Sequence, residues 1–91
     1  MSNIKVKIIT KEHCVKCRMT KNILKSKGIT YTEKVLKSPE DFLFYRDLGY
    51  RSMPIVFVKD DNGKVVDKWN DFQASKIEAL WVLFSFALLW R

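Results

Sequence analysis

The hydrophobic residues near the start of the chain change from a two-residue period to a helical one. Ile4, Val6 and Ile8 alternate with lysines, which is typical of a strand with one buried face. From residue 14 to residue 27 the apolar positions recur at helical spacing, and the opposite face is basic. The apolar set is Val15, Met19, Ile23 and Leu24, and the basic set is Arg18, Lys21 and Lys25. The pattern therefore predicts a strand followed by a helix, which Gly28 ends as a C-terminal cap.

The middle of the chain predicts a second strand and a short second helix. Residues 29–35 alternate in the manner of a strand. Ser38 precedes Pro39 and two acidic residues, which is the composition of a helix start. We therefore expect a helix from this point through Leu48 to Gly49.

The last part of the chain predicts a hairpin and a third helix. Residues 54–58 have the continuous apolar composition of a buried strand. The Asn62-Gly63 pair is a typical hairpin turn and leads into a further strand at residues 64–66. With a third helix beginning near Phe72, the predicted order of elements is βαβαββα, an α/β arrangement.

The C-terminal segment, residues 79–91, is unusually apolar, because residues 79–90 carry no charge. A helix formed by residues 79–90 spans about 18 Å, whereas a bilayer core is roughly 30 Å thick, so no transmembrane segment is expected. One stripe is expected to pack on the sheet, and it consists of Ile77, Leu80, Trp81, Phe84 and Leu88. Because the opposite side is apolar too, self-association through this helix, contact with a membrane surface and a disordered end all stay open.

Length, composition and charge limit the class of protein. A chain of 91 residues with 47% hydrophobic and 30% charged residues is expected to form one globular domain over residues 1–91. Two cysteines are too few for a disulfide scaffold, and the N-terminal apolar stretch is too short for a signal peptide, so we expect a cytoplasmic location. The net charge is +7, and residues 1–30 hold eight basic residues against Glu12 alone.

The two cysteines stand where the first strand gives way to the first helix. A cysteine at a helix N-terminus is stabilised as a thiolate, and Cys17, one turn further on, can reach the sulfur of Cys14. Lys11, Lys16 and Arg18 add positive charge nearby. The spacing therefore favours disulfide exchange, with Cys14 as the attacking thiolate and Cys17 as the resolving thiol.

Three other interpretations of the cysteine pair stay open. The first is zinc, although a closed zinc site needs four ligands and one chain cannot supply them, because no third cysteine exists and His13 is the only histidine. A copper carrier is the second, because thiolates suit Cu(I), although such domains have the order βαββαβ and usually place a methionine where Glu12 stands. Two inert core cysteines are the third.

Four further segments extend the pattern around the cysteines. Ser52-Met53-Pro54 before the third strand resembles the cis-proline segment of the thioredoxin superfamily. The chain resembles the NrdH-redoxins over residues 3 to about 80. The segments that together carry the resemblance are Thr10-Lys11, Thr20-Lys21, Gly49-Tyr50-Arg51 with Met53-Pro54, and Trp69-Asn70-Asp71-Phe72. These are glutaredoxin-like proteins with thioredoxin-like reactivity. The resemblance implies a thioredoxin fold, in which a four-stranded mixed sheet is flanked by three helices.

The same resemblance implies roles for residues and partners. Support of the active site is implied for Lys11, His13, Val15, Lys16, Met53 and Pro54, and a groove for the partner or substrate for Arg51, Ser52, Trp69, Asn70, Asp71 and Phe72. The implied function is that of a dithiol hydrogen donor for the large subunit of ribonucleotide reductase in deoxyribonucleotide synthesis. Thioredoxin reductase would re-reduce the protein with NADPH as the ultimate source, so neither a bound cofactor nor a metal is expected.

Asn70 and Asp71 replace the Ser-Gly pair of the family. Glutaredoxins bind a carboxylate of glutathione at this turn, and Asp71 places a negative charge there. This favours thioredoxin reductase as the source of electrons, while a glutathione-dependent glutaredoxin remains the alternative and Asp71 can equally be a simple helix cap.

The basic face of the first helix, Arg18, Lys21 and Lys25, is either solvated or a docking surface for an acidic redox partner. Nucleic acid is not an expected partner, because no groove-reading motif accompanies these residues.

Overall fold

The computed structural model describes residues 4–89 of the chain and the side chains of residues 4–82. The elements follow the predicted order βαβαββα, and their bounds are β1 Lys5–Lys11, α1 Val15–Ser26, β2 Tyr31–Leu36, α2 Pro39–Asp47, β3 Ile55–Lys59, β4 Val65–Asn70 and α3 Ala74–Leu89.

The four strands form one mixed sheet in the order β2-β1-β3-β4. β1 pairs in parallel with β2 and antiparallel with β3, while β4 pairs antiparallel with β3. In this register Ile8 lies between Glu33 on one side and Val56 on the other. The arrangement confirms the thioredoxin fold that the resemblance implied.

Alternate residues of the two central strands are buried in two separate clusters, because successive side chains of a strand point to opposite faces of the sheet. The larger cluster contains Val6, Ile8, Leu24, Ile29, Val56, Val58, Trp69, Ile77 and Leu80. The smaller cluster contains Ile9, Cys17, Leu36, Met53 and Ile55, with Phe42 and Tyr45 of α2 packed against it. One of the two cysteines is thus part of the core on the side that α2 covers.

The predicted ends of α1 and α2 are confirmed. Ser38 caps α2 by accepting the N–H of Asp41 at 3.3 Å, and Pro39 is in the first turn. Gly28 follows α1 with φ 72°, a left-handed conformation that glycine adopts without steric cost. The hairpin is also confirmed, and β4 runs further than predicted, to Asn70.

The predicted buried face of α1 is wrong at two positions. Val15 is 59% exposed and Met19 is 41% exposed, whereas the buried residues of the helix are Cys17, Thr20 and Leu24. Helical spacing alone favoured the larger apolar residues. The helix is instead turned so that the small sulfur and hydroxyl side chains face the sheet.

The helix α3 begins at Ala74 and not near Phe72. The reason is that Asp71 has φ 70°, which is not a helical conformation, and that the first helical bond runs from the N–H of Ile77 to the carbonyl of Gln73.

The stripe predicted for α3 is confirmed at Ile77 and Leu80, which are buried, but Trp81 is partly exposed beneath the ammonium of Lys27. Val82 is 56% exposed. The side chains of Phe84 and Leu88 lie outside the described residues, and self-association through this helix stays a prediction. Among residues 4–89, none of the helices combines the length and the apolar character that crossing a bilayer requires.

Ile77→Ala is expected to lower the free energy of unfolding by about 2–5 kcal/mol, because it removes a fully buried side chain and leaves a cavity. Val82→Ala, five residues further along the same helix, should change it by less than about 0.5 kcal/mol. Chemical denaturation of both variants measures the difference, and equal losses would show that α3 is held by other contacts.

Candidate active site

Cys14 is the N-cap residue of α1. Its backbone is extended, and its sulfur accepts the N–H of Cys17 at 3.1 Å, which satisfies one of the free donors at the helix start. The side chain of Cys14 is half-buried, whereas Cys17 is only 2% exposed. The two sulfur atoms are joined in a disulfide whose Cα atoms are 5.2 Å apart. A hydrogen-bond donor is therefore already aimed at the more accessible sulfur.

His13 brings the chain from β1 into α1. It has φ 55°, in the left-handed region that few residues other than glycine adopt, although histidine does so more often than most. The ring itself is exposed. The observed contribution of His13 is thus the backbone reversal that places Cys14 at the start of the helix.

Met53 and Pro54 lie in the wall against which the cysteines pack. The peptide bond between them is cis, as the resemblance implied. Met53 shares the smaller core cluster with Cys17, and Cys14 packs against the same cluster. The carbonyl of Pro54 accepts the N–H of Asp71 at 2.9 Å, so the turn after β4 is attached to the same wall.

Asp71 connects that turn to the cysteine helix. Its Oδ1 lies 2.9 Å from Nζ of Lys16 and accepts the N–H of Phe72 at 2.7 Å. The ammonium of Lys16 is the main reason that the pKa of Asp71 is lowered, and the N–H of Phe72 and the hydroxyl of Ser52 act in the same direction. The carboxylate is therefore ionised and fixed between two elements.

Two more hydrogen bonds hold the turn. Nδ2 of Asn70 donates to the carbonyl and the hydroxyl oxygen of Ser52, at 3.4 and 3.3 Å. Nε2 of Gln73 donates to the carbonyl of Asn70 at 2.8 Å. The sequence motif Asn70-Asp71 thus forms a bonded turn next to the cis-proline segment.

An open groove of about 370 Å³ lies beside Met53. Its lining residues are Lys11, Phe42, Arg46, Tyr50, Arg51, Ser52 and Met53. Lys11, Arg51 and Ser52 were predicted near the site, whereas Phe42 and Arg46 were not. Nothing in the sequence marks those two, because the face that α2 turns to the groove is set by its packing on the sheet.

A second cavity of about 240 Å³ is lined by both cysteines and by a partly exposed polar cluster. Thr10 donates from Oγ1 to Oε2 of Glu33 at 2.6 Å, and Nζ of Lys21 lies 3.1 Å from the same oxygen. The hydrogen bond from Thr10 is the main cause of a lowered pKa for Glu33, and Lys21 contributes as well. Glu33 was not predicted as a site residue, because the alternation of its neighbours indicates only a strand.

Trp69 was predicted to line the groove for the partner, but it is buried. It is 5% exposed and packs in the larger core cluster, with Nζ of Lys76 5.5 Å from its ring centre. It is buried because β4 turns this side chain toward α3. Phe72 is half-buried against the same cluster, and Val15 is exposed beside Cys14.

The described metal-ligating side chains near the cysteines do not form a metal site. Over the described stretch, residues 4–89, three or more Cys, His, Asp or Glu side chains are nowhere grouped so that they could hold a metal ion.

Comparisons with known proteins match this geometry. The sequence model of the glutaredoxin family matches residues 6–62, more than half of the chain. The NrdH-redoxin of Escherichia coli, described as a glutaredoxin-like protein with a thioredoxin-like activity profile, is 25% identical, with a TM-score of 0.69 over 84% of this chain and 93% of its own. No curated protein sequence matches this chain.

Two more distant structures share the fold. Glutaredoxin 1 of Francisella tularensis is 20% identical, with a TM-score of 0.64 over 89% of this chain and 98% of its own. Thioredoxin f2 of Chlamydomonas reinhardtii is 15% identical, with a TM-score of 0.59 over 85% of this chain and 74% of its own.

Glu33→Gln is expected to lower stability near neutral pH and to make it less dependent on pH in the acid range. The pKa of Glu33 is lower in the folded state than in the unfolded state, so ionised Glu33 stabilises the fold above its unfolded pKa. That contribution is lost as the pH falls through the folded pKa.

Melting temperatures of both proteins, measured from about pH 7 to about pH 3, should therefore converge as the pH falls. Glu78→Gln, which removes one carboxylate outside this cavity, is the control. A constant difference across the range would contradict the role given to the Thr10–Glu33 hydrogen bond.

Proposed function

Because the chain belongs to the glutaredoxin family and is a thiol–disulfide oxidoreductase, we propose that it is a dithiol hydrogen donor for ribonucleotide reductase. In this proposal thioredoxin reductase re-reduces the protein in the cytoplasm. NADPH enters only through that reductase, and the protein itself binds no cofactor. The similarity to the NrdH-redoxin of Escherichia coli supports this assignment.

The observation that carries the proposal is the asymmetry of the two cysteines. In the reduced protein the Cys14 thiolate attacks one sulfur of the partner's disulfide. A bond forms between Cys14 and that sulfur, and the other partner sulfur leaves as a thiolate and takes up a proton. The N–H of Cys17 and the positive end of α1 stabilise the attacking thiolate, since both face the Cys14 sulfur.

Cys17 completes the exchange. Its thiol loses a proton and attacks the Cys14 side of the mixed disulfide, which releases the second partner thiolate and leaves the Cys14–Cys17 disulfide of the structure. The partner gains two electrons and the protein loses two. The burial of Cys17 supports this role, because outside reagents reach that sulfur poorly while Cys14 lies one turn away.

We expect thioredoxin reductase, and not glutathione, to reduce the oxidised protein efficiently. The charge of Asp71 beside the cysteines supports this choice, because glutathione is itself anionic. Oxidation of NADPH is followed with thioredoxin reductase in one assay and with glutathione and its reductase in another, and Cys14→Ser is the blank in both. Equal or faster turnover with physiological glutathione would favour a glutathione-dependent glutaredoxin.

The roles of the two cysteines are tested by trapping. Cys17→Ser removes the resolving thiol and leaves the helix start intact, so the mixed disulfide at Cys14 should persist. Cys14→Ser should neither attack nor trap, because Cys17 is buried. Under the proposal, the species trapped by Cys17→Ser include the large subunit of ribonucleotide reductase, detected on non-reducing gels and by mass spectrometry.

Two outcomes of this experiment would contradict the proposal. Trapping by Cys14→Ser instead of Cys17→Ser would reverse the two roles. Trapping by neither variant would argue against exchange, and a purified protein that carries stoichiometric copper or zinc would then favour a metal carrier.

A further inference from the structure

Two groups near the cysteines that could bind a carboxylate from outside are already bound to one from inside. The ammonium of Lys16 and the N–H of Phe72 both contact Oδ1 of Asp71, at 2.9 and 2.7 Å. The hydroxyl of Ser52 also helps to lower the pKa of this carboxylate. A cation, a backbone donor and a hydroxyl together form the kind of set that proteins use to hold a carboxylate.

This set lies beside the disulfide. Lys16 stands between the two cysteines in the first turn of α1. On the other wall, the N–H of Asp71 is bonded to the carbonyl of Pro54, next to Met53, which packs with Cys17. The Lys16–Asp71 ion pair therefore joins the cysteine helix to the cis-proline segment.

The carboxylate is held in place by its own turn. Asp71 has φ 70°, a conformation that aspartate tolerates better than most residues, and the bonds of Asn70 to Ser52 and of Gln73 to Asn70 fix the turn on both sides. A fixed internal carboxylate loses no translational freedom on binding, whereas an incoming one does. An incoming carboxylate would also have to displace Asp71 and leave it without Lys16.

We infer that Asp71 is a specificity-determining residue, a built-in anion that disfavours carboxylate-bearing small thiols as reductants of the Cys14–Cys17 disulfide. The inference rests on the proposed role of Cys14 as the exchanging sulfur, and it names the class of thiol that this site rejects. Discrimination arises because a carboxylate of the chain already occupies Lys16, so an incoming carboxylate loses that contact and meets a like charge.

The step concerned is the reduction of the disulfide by two equivalents of thiol. A thiolate attacks Cys14, forms a mixed disulfide and releases Cys17 as a thiolate, which takes up a proton. A second thiolate then attacks the sulfur of the first thiol, so that reduced Cys14 leaves and the two thiols leave as their own disulfide. Two electrons pass from the thiols to the protein.

The test compares small thiols that differ in charge. The oxidised protein is reduced with 3-mercaptopropionate, 2-mercaptoethanol and cysteamine at equal thiolate concentrations, since the thiolate is the nucleophile. Samples are quenched by alkylation and counted by mass spectrometry. The quantity of interest is the rate with 3-mercaptopropionate divided by the rate with 2-mercaptoethanol.

Asp71→Asn is expected to raise this ratio about threefold to tenfold at low ionic strength, with a smaller change at high salt, because the charges are partly exposed. The rate with cysteamine divided by the rate with 2-mercaptoethanol should fall or stay unchanged. Asparagine keeps the size of the side chain, an oxygen for the N–H of Phe72 and tolerance for the left-handed backbone. Asp67→Asn is the matched control, because it breaks a different carboxylate–lysine ion pair, between Asp67 of β4 and Lys76 of α3, and should leave the ratio unchanged.

A double-mutant cycle of Asp71 and Lys16 tests whether Asp71 acts by occupying Lys16 or only through its own charge. If Asp71 masks Lys16, Lys16→Gln changes the ratio little in the wild-type background but removes most of the gain in the Asp71→Asn background. Equal effects of Lys16→Gln in both backgrounds would overturn the inference. So would an unchanged ratio in Asp71→Asn.

These failures are distinct from a failure of the proposed function. An unchanged ratio, in a protein that thioredoxin reductase still reduces, sinks the inference and leaves the proposed function standing. A shifted ratio, in a protein that thioredoxin reductase does not reduce, supports the inference and contradicts the proposed electron source.

Discussion

Helix α1 must begin directly at Cys14, because only an N-cap sulfur can accept the N–H of Cys17 while it stays open to a partner. That start depends on the left-handed backbone of His13, which turns the chain out of β1. It also depends on the burial of Cys17, Thr20 and Leu24, which fixes the rotation of the helix on the sheet. A helix rotated to bury Val15 and Met19 would move the N–H of Cys17 and the sulfur of Cys14 away from the cis-proline wall.

Features that depend on local chemistry could be predicted from the sequence. The order of elements, the cap at Ser38, the hairpin at Gly63 and the position of Cys14 at a helix start each rest on neighbouring residues. Features that depend on packing between elements distant in the chain could not be predicted from the sequence. The buried face of α1 is decided by its packing on the sheet, and the burial of Trp69 by its packing with α3. Helical periodicity gives no information about either contact.

The candidate site divides in the same way. The cysteine pair and the segment before β3 could be predicted as site residues from sequence motifs, and the family resemblance implied the cis-proline. The sequence alone does not distinguish a helix-capping role of Asp71 from a role of its charge at the site. The contacts of its carboxylate with Lys16 and with the N–H of Phe72 make that distinction. Glu33 shows the opposite case, because a residue distant in the chain enters the cysteine cavity only through the parallel pairing of β1 and β2.

The charges around the disulfide favour one kind of partner. Three carboxylates near it are paired internally, Asp71 with Lys16, Glu33 with Lys21, and Glu12 at 3.9 Å from Lys37. Lys11 lines both cavities beside the cysteines, and Arg46 and Arg51 line the larger one. The field at these cavities is therefore positive, whereas Asp71 carries a negative charge on the turn after β4. Such a field speeds the approach of a large acidic protein surface, which contacts the rim. A small anionic thiol that approaches Cys14 also meets the charge of Asp71, so under the two proposals the site favours acidic proteins over acidic small thiols.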